Sequence, residues 1–359
     1  MLRKSCSLRP WHLYGGGMTW MLFSLHVYRR FSSLGDSAAY IEEGFDEEAQ
    51  LRTRFISMLA SAIVSLSRME LGSHLAFAWF SYSGITYLAA GLQLGSRRWS
   101  LLAVLLSPGF GVWSSVVGRE ALFIGCLGYC IGAMLRHYRT GKCRFLALGI
   151  AMVMPLIFFR SVYGASIALF CCIYVALLFP SKVHVCSALI YLISLIVACL
   201  LGVTFWEEID EFLSNEVLPT AKSYFTINSP TTRTWIALNN ARDFLTQAPM
   251  LIPLSLLGPT LAEVYVRPVM FPFMVGGCGF IVCLIYAFYC AFLGEASWFE
   301  RRVMVLAWFP SVMMILLSYM PYGVYNPGSS IRYASCFVLF FFLPIVMRSY
   351  RPIADNEHK

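Results

Sequence analysis

Two stretches of this chain, Cys186–Phe205 and Pro268–Leu293, contain no charged side chain and are apolar on every side. Water-facing helices keep one polar face, and about 18 consecutive apolar residues are enough to cross the hydrocarbon core of a bilayer. The rest of the chain repeats the pattern as apolar blocks separated by short basic breaks. Across 359 residues, 58% are hydrophobic, 13% are charged and the mean hydropathy is +0.68. Backbone polar groups in lipid must be satisfied within the chain, which favours helices. The expected fold is all-α, a polytopic transmembrane helical bundle forming a single integral-membrane domain over residues 1–359.

Ten spans are expected, at about 11–28, 74–94, 99–117, 120–135, 145–159, 161–179, 183–205, 268–293, 303–320 and 333–347. Short loops rich in Lys and Arg stay cytoplasmic. With ten spans, the clusters Arg3/Lys4/Arg9, Arg97/Arg98, Arg136/Arg139/Lys142/Arg144, Lys182, Arg301/Arg302 and Arg348/Arg351/Lys359 share one face. That face holds 15 of the 27 Lys and Arg but only four of the 19 acids. Both termini are therefore expected in the cytoplasm, with large outer loops at 29–73 and 206–267. Arg29 and Arg30 break the rule. The apolar run Phe55–Ser67 is too short to span and reads as a re-entrant or interfacial segment, and Pro249–Val266 is ambiguous for the same reason. The first apolar stretch reads as a signal anchor. All 12 cysteines fall in spans or on the cytoplasmic face, which suits an oxidising outer side without disulfides. The pair Cys126/Cys130 reads as packed apolar residues.

These features exclude several classes. The cytoplasmic loops are too short for an ATPase or a nucleotide-sugar transferase domain, and no phosphate-binding glycine motif occurs. The net charge of +8 arises from topology determinants, so nucleic acid is not an expected partner. The six histidines are scattered, so no metal site is expected from them. Internal repeats and charges deep in spans, which would favour a transporter, are not evident.

The polar residues with chemical potential lie at the outer boundary. Asp36, in Gly35-Asp36-Ser37-Ala38-Ala39-Tyr40, is placed to act as a general base at headgroup level, or simply to cap a helix. Glu42, Glu43, Asp46, Glu47 and Glu48 read as a solvated face. Arg119 and Glu120 follow the third expected span, either as an interfacial pair with Trp113 as a belt residue or with Arg119 gripping a phosphate. Arg160 closes a short apolar run and reads equally as a functional group or a snorkelling one. The last outer turn, Tyr322–Tyr333, carries Asn326, Pro327, Gly328 and Arg332, its tyrosines suiting a sugar-stacking wall or an aromatic belt. Eleven of the 12 outer basic residues are arginine, the type that presents a rigid fork to phosphate oxygens.

In order along the chain, these motifs resemble a known group. Gly35-Asp36-Ser37-x-x-Tyr40 resembles the first-loop aspartate segment of GT-C-type membrane glycosyltransferases. Pro108–Ala121 and Asn326–Tyr333 resemble segments of bacterial O-antigen and exopolysaccharide polymerases. Position 119 is Arg where many relatives are expected to have Lys, and the chain is short for an O-antigen polymerase. The resemblance implies an enzyme of the bacterial inner membrane, acting on its periplasmic or extracellular side, that joins polyprenyl-(pyro)phosphate-linked oligosaccharide repeats. It implies Asp36 as catalytic base, with Arg119, Glu120, Arg160, Arg332, Tyr40, Asn326 and Tyr333 as substrate-binding residues. Polysaccharide export or chain-length proteins are the implied partners, and a divalent cation is a compatible cofactor. A transferase adding one sugar to a glycan, or a lipid-linked glycan flippase, is the alternative.

Overall fold

The computed structural model describes residues 10–31, 34, 36–42, 50–92, 98–178, 204–227, 233–294 and 296–347. It is 87% helix, and no strand occurs among the described residues. The helices are α1 (Pro10–His26), α2 (Ser37–Glu42), α3 (Leu51–Ser67), α4 (Glu70–Leu92), α5 (Arg98–Leu105), α6 (Pro108–Ser115), α7 (Arg119–Thr140), α8 (Cys143–Ala151), α9 (Val153–Phe159) and α10 (Ser161–Leu177). Then come α11 (Trp206–Phe212), α12 (Leu218–Ile227), α13 (Ala241–Leu257), α14 (Leu261–Val266), α15 (Phe271–Phe292), α16 (Trp298–Arg302), α17 (Phe309–Val324), α18 (Pro327–Phe337) and α19 (Phe342–Met347).

Five helical stretches of the described residues are long and apolar enough to cross a membrane: Arg119–Thr140, Ala241–Val266, Pro268–Phe292, Trp298–Val324 and Pro327–Ile345. A sixth arises if α3 and α4, bent by 120° at Arg68, count as one broken span. The expected first span falls on a helix of 17 residues, and the expected sixth falls on another. The expected third is divided at Ser107, because Pro108 lacks an N–H and starts α6 at its first position. The expected fifth consists of the two short helices α8 and α9. The expected seventh lies largely outside the described residues. The sharp bend after α3 fits either a broken span or the re-entrant reading of Phe55–Ser67. The outer loop 206–267 departs further from expectation, because its second half is itself a candidate span by length and composition.

Helix α7 is the axis of the bundle: 83% of its apolar window is buried, against 33% for Pro268–Phe292. Its closest neighbour is α4. Glycines make that approach possible, since a Cβ on Gly84 would meet the Gly125 carbonyl and one on Gly128 would meet the Gly84 backbone. Small residues at such a crossing let two backbones touch, which is how helices gain packing energy where lipid is as apolar as leucine. Helices α6 and α18 both pack against α7. Cys126 and Cys130 are both buried, as read from sequence.

Candidate active site

The loop between α6 and α7 is fixed from two sides. The Ser37 hydroxyl donates to the Val117 carbonyl at 2.5 Å, and the Val117 N–H donates to His74 Nδ1 at 3.2 Å. These bonds bring the start of α2 to the start of α7. Asp36 precedes α2 and its carbonyl accepts from the Tyr40 N–H at 2.9 Å, as an N-cap's does. Its carboxylate is turned elsewhere: Oδ2 accepts from Arg332 Nη2 at 3.2 Å and lies 3.6 Å from Arg119 Nη2. The Asp36 carboxylate therefore faces two arginines, while its backbone carbonyl opens the helix.

Arg332 reaches the same point from α18. Asn326 caps that helix, its Oδ1 accepting from the N–H groups of Gly328 at 2.8 Å and Ser329 at 3.2 Å, and Pro327 occupies the first position. The helix thus begins six residues before the expected span and carries Arg332 into the bundle. There its Nε donates to Glu120 Oε1 at 2.6 Å. Its guanidinium carbon sits 4.9 Å from the centre of the Trp113 ring. Trp113 is buried and seats Arg332, which departs from the reading of Trp113 as a belt residue.

Glu120 is the buried anchor of the group, with 1% of its side chain exposed. It binds Arg332 and also Arg160, which the joint between α9 and α10 presents. Arg160 stacks over the Tyr333 ring at 4.4 Å, a favourable cation–π distance. Arg119 donates its Nε to the Tyr40 hydroxyl at 2.9 Å. Burial pushes the Tyr40 hydroxyl above its ordinary pKa despite the opposing Arg119 charge, so it stays a neutral phenol.

These groups face a cavity of about 590 Å³, a volume typical of small-molecule sites. Asp36, Tyr40, Arg119, Arg160, Arg332 and Tyr333 line it, so six of the eight residues singled out from the sequence meet in one place. Glu120 lies behind the wall, where it orients two arginines. Asn326 is engaged as a helix cap and is not among the lining residues. Arg52, Tyr163 and Tyr322 also line the cavity; sequence reasoning missed Arg52 and Tyr163, whereas Tyr322 belongs to the last outer turn. Arg52 lies in the stretch 29–73, which reads as an outer loop. Its only sequence signal was its position at the start of an apolar segment. Among Glu42, Glu43, Asp46, Glu47 and Glu48, the backbone of Glu42 ends α2; the others lie outside the described residues.

Four arginines therefore share the cavity with one lining carboxylate and one carboxylate behind it, an excess of two positive charges. With four tyrosines on the wall, the space favours a ligand that is anionic at one end and hydroxyl-rich elsewhere. Among the described residues, no group of three His, Cys, Asp or Glu is placed to hold a metal ion. Compared with protein-family models, curated proteins and solved structures, the chain matches none.

Proposed function

We propose that the protein is a membrane glycosyltransferase that polymerises lipid-linked oligosaccharide repeats. The observation that supports this reading is the convergence of Asp36 with an excess of arginines on one tyrosine-walled cavity. A glycosyl group joined to a lipid diphosphate already carries a good leaving group. Asp36 takes the proton from an acceptor hydroxyl, and that oxygen bonds to the anomeric carbon. The bond from that carbon to the phosphate oxygen breaks, and its electron pair leaves with the diphosphate. Guanidiniums stabilise the charge that develops there, in a site that holds both reactants in register. A divalent cation could share that charge.

In this reading the chain crosses the inner membrane of a bacterium ten times with both termini in the cytoplasm. The cavity opens to the outer side, where a polyprenyl carrier presents its headgroup. A cysteine at Asn215, an exposed position between α11 and α12, is then labelled from outside intact cells; labelling only after permeabilisation reverses the topology. Deletion in the native host followed by glycan length analysis tests the activity. Loss of long chains with single repeats retained supports the polymerase. Long chains lacking one branch sugar support the single-sugar transferase. Unaltered glycans overturn both.

A further inference from the structure

The four arginines of the cavity are not equivalent. Arg332 is committed to two carboxylates, Glu120 through Nε and Asp36 through Nη2, and its face lies on Trp113. Arg160 shares Glu120, but its buried Nε has no hydrogen-bond partner. Arg119 gives its Nε to a neutral phenol and stands 3.6 Å from Asp36, a distance longer than a hydrogen bond. Arg52 pairs with no carboxylate among the described residues, and its Nε donates to the amide oxygen of Gln50 at 2.8 Å. Arg52 also feels the positive charges of Arg119 and Arg160, and all three line one half-enclosed space. Like charges repel, and partial burial weakens the screening between them. Each keeps donor capacity in a plane suited to phosphate oxygens. An anion with several acceptor oxygens would relieve both deficits at once.

We propose that Arg52, Arg119 and Arg160 form an anion subsite that takes a phosphate or diphosphate group, and that Arg332 is a positioning residue holding Asp36 and Glu120 beside it. This division rests on the glycosyl-transfer reading for the identity of the leaving group, while anion binding itself can be measured without turnover. Chemically, the anion is either the headgroup of a lipid diphosphate or free diphosphate released from one. Both present the same oxygens to the arginines.

The test uses the full-length protein in detergent, titrated with inorganic diphosphate, farnesyl diphosphate and, as the uncharged control, farnesol. Binding is read by calorimetry and by the shift in unfolding temperature. Wild type is expected to bind at least one diphosphate, more weakly as salt rises, and to gain nothing comparable from farnesol. Binding of farnesyl diphosphate alone assigns the lipid headgroup, and equal binding of inorganic diphosphate assigns the free anion. Arg52→Ala should weaken diphosphate binding by roughly 10-fold or more, and Arg52→Lys by less, since the charge remains without the fork. Arg54→Ala, an exposed neighbour on α3, should bind as wild type does and serves as the folding control. Arg332→Lys should keep diphosphate affinity within about 3-fold while turnover falls.

Wild-type affinity in a folded Arg52→Ala variant overturns the subsite, as does wild-type protein that binds neither diphosphate or binds farnesol equally well. Loss of diphosphate binding in Arg332→Lys overturns the division of roles. Unaltered glycans after gene deletion, with diphosphate binding intact, sink the transferase reading and leave the subsite standing.

Discussion

Arg233 and Arg332 are both largely buried arginines paired with glutamates, but one pair is closed and the other is open. Arg233 is 2% exposed and meets both oxygens of Glu263, at 3.0 and 2.9 Å. It also donates to the carbonyls of Val324 and Gly258. Glu263 completes a capping box with Thr260. Gly258 has φ +73, a backbone conformation that favours glycine. This clasp holds the elbow between α13 and α14 against the end of α17, and the net charge of the pair is zero. Around Arg332, three further arginines and two carboxylates leave positive charge facing a cavity. A balanced, fully bonded pair fastens segments together, whereas an unbalanced one beside open space is prepared for a ligand.

The largest expected effect breaks the closed pair. Arg233→Ala strands the Glu263 charge in a buried place and should cost about 3–5 kcal/mol, read as a collapse of the monodisperse peak in detergent and a lower unfolding temperature. Glu263→Gln keeps the carbonyl contacts of Arg233 and should be milder. If Arg233→Ala instead folds normally but loses glycan synthesis, the contrast between clasp and site is wrong.

The open pair should respond in the opposite sense. In the proposed transfer, Asp36→Asn preserves shape and removes the base, so synthesis per folded molecule should drop by about 10²-fold or more. Its unfolding temperature should barely change, because the Asp36 side chain is 35% exposed and such pairs contribute about 1 kcal/mol or less. Normal glycan from a stably expressed Asp36→Asn protein removes the base from the mechanism.

Arg332→Lys sharpens the comparison further. One ammonium cannot span Glu120 and Asp36 as two guanidinium edges do, so turnover should fall by roughly 10-fold. Wild-type synthesis by this variant would make Arg332 a charge anchor only. The smallest effect belongs to Asn326→Ala, which removes a helix cap worth about 1 kcal/mol. Stability should decline by that amount, with synthesis per folded molecule unchanged. A specific loss of activity would return Asn326 to the ligand.

The helical, membrane-type architecture was legible because run length and charge are properties of the sequence itself. The number of spans was less so, since hydropathy counts residues without seeing direction. Pro108 turns one apolar run into two helices, and the bend at Arg68 reverses another. Asp36, Arg119 and Arg332 were legible as polar residues at an apolar boundary. Their meeting was not, because it depends on Ser37 and His74 bonding the loop at Val117. The excess of outer arginines pointed toward anion chemistry, yet it grouped Arg233, a fastener, with Arg119, a site residue. Residue type cannot separate them; partners do. Arg52 was not legible for the converse reason, because a charge in a stretch that reads as an outer loop looks solvated until the fold brings α3 to a cavity.

The spacing of Glu120 from its partners also bears on how the chain is made. Arg160 follows it by 40 residues, whereas Arg332 comes 212 residues later. As the ribosome delivers the chain from its N-terminus, Glu120 can meet one cation early and must wait for nearly the whole remaining polypeptide to meet the second. Asp36 likewise gains Arg119 long before Arg332 arrives. The charged cluster at the cavity is therefore completed only when α18 is made. A nascent chain or a nonsense product ending before Pro327 would carry the early cavity residues and still lack Arg332 and Tyr333.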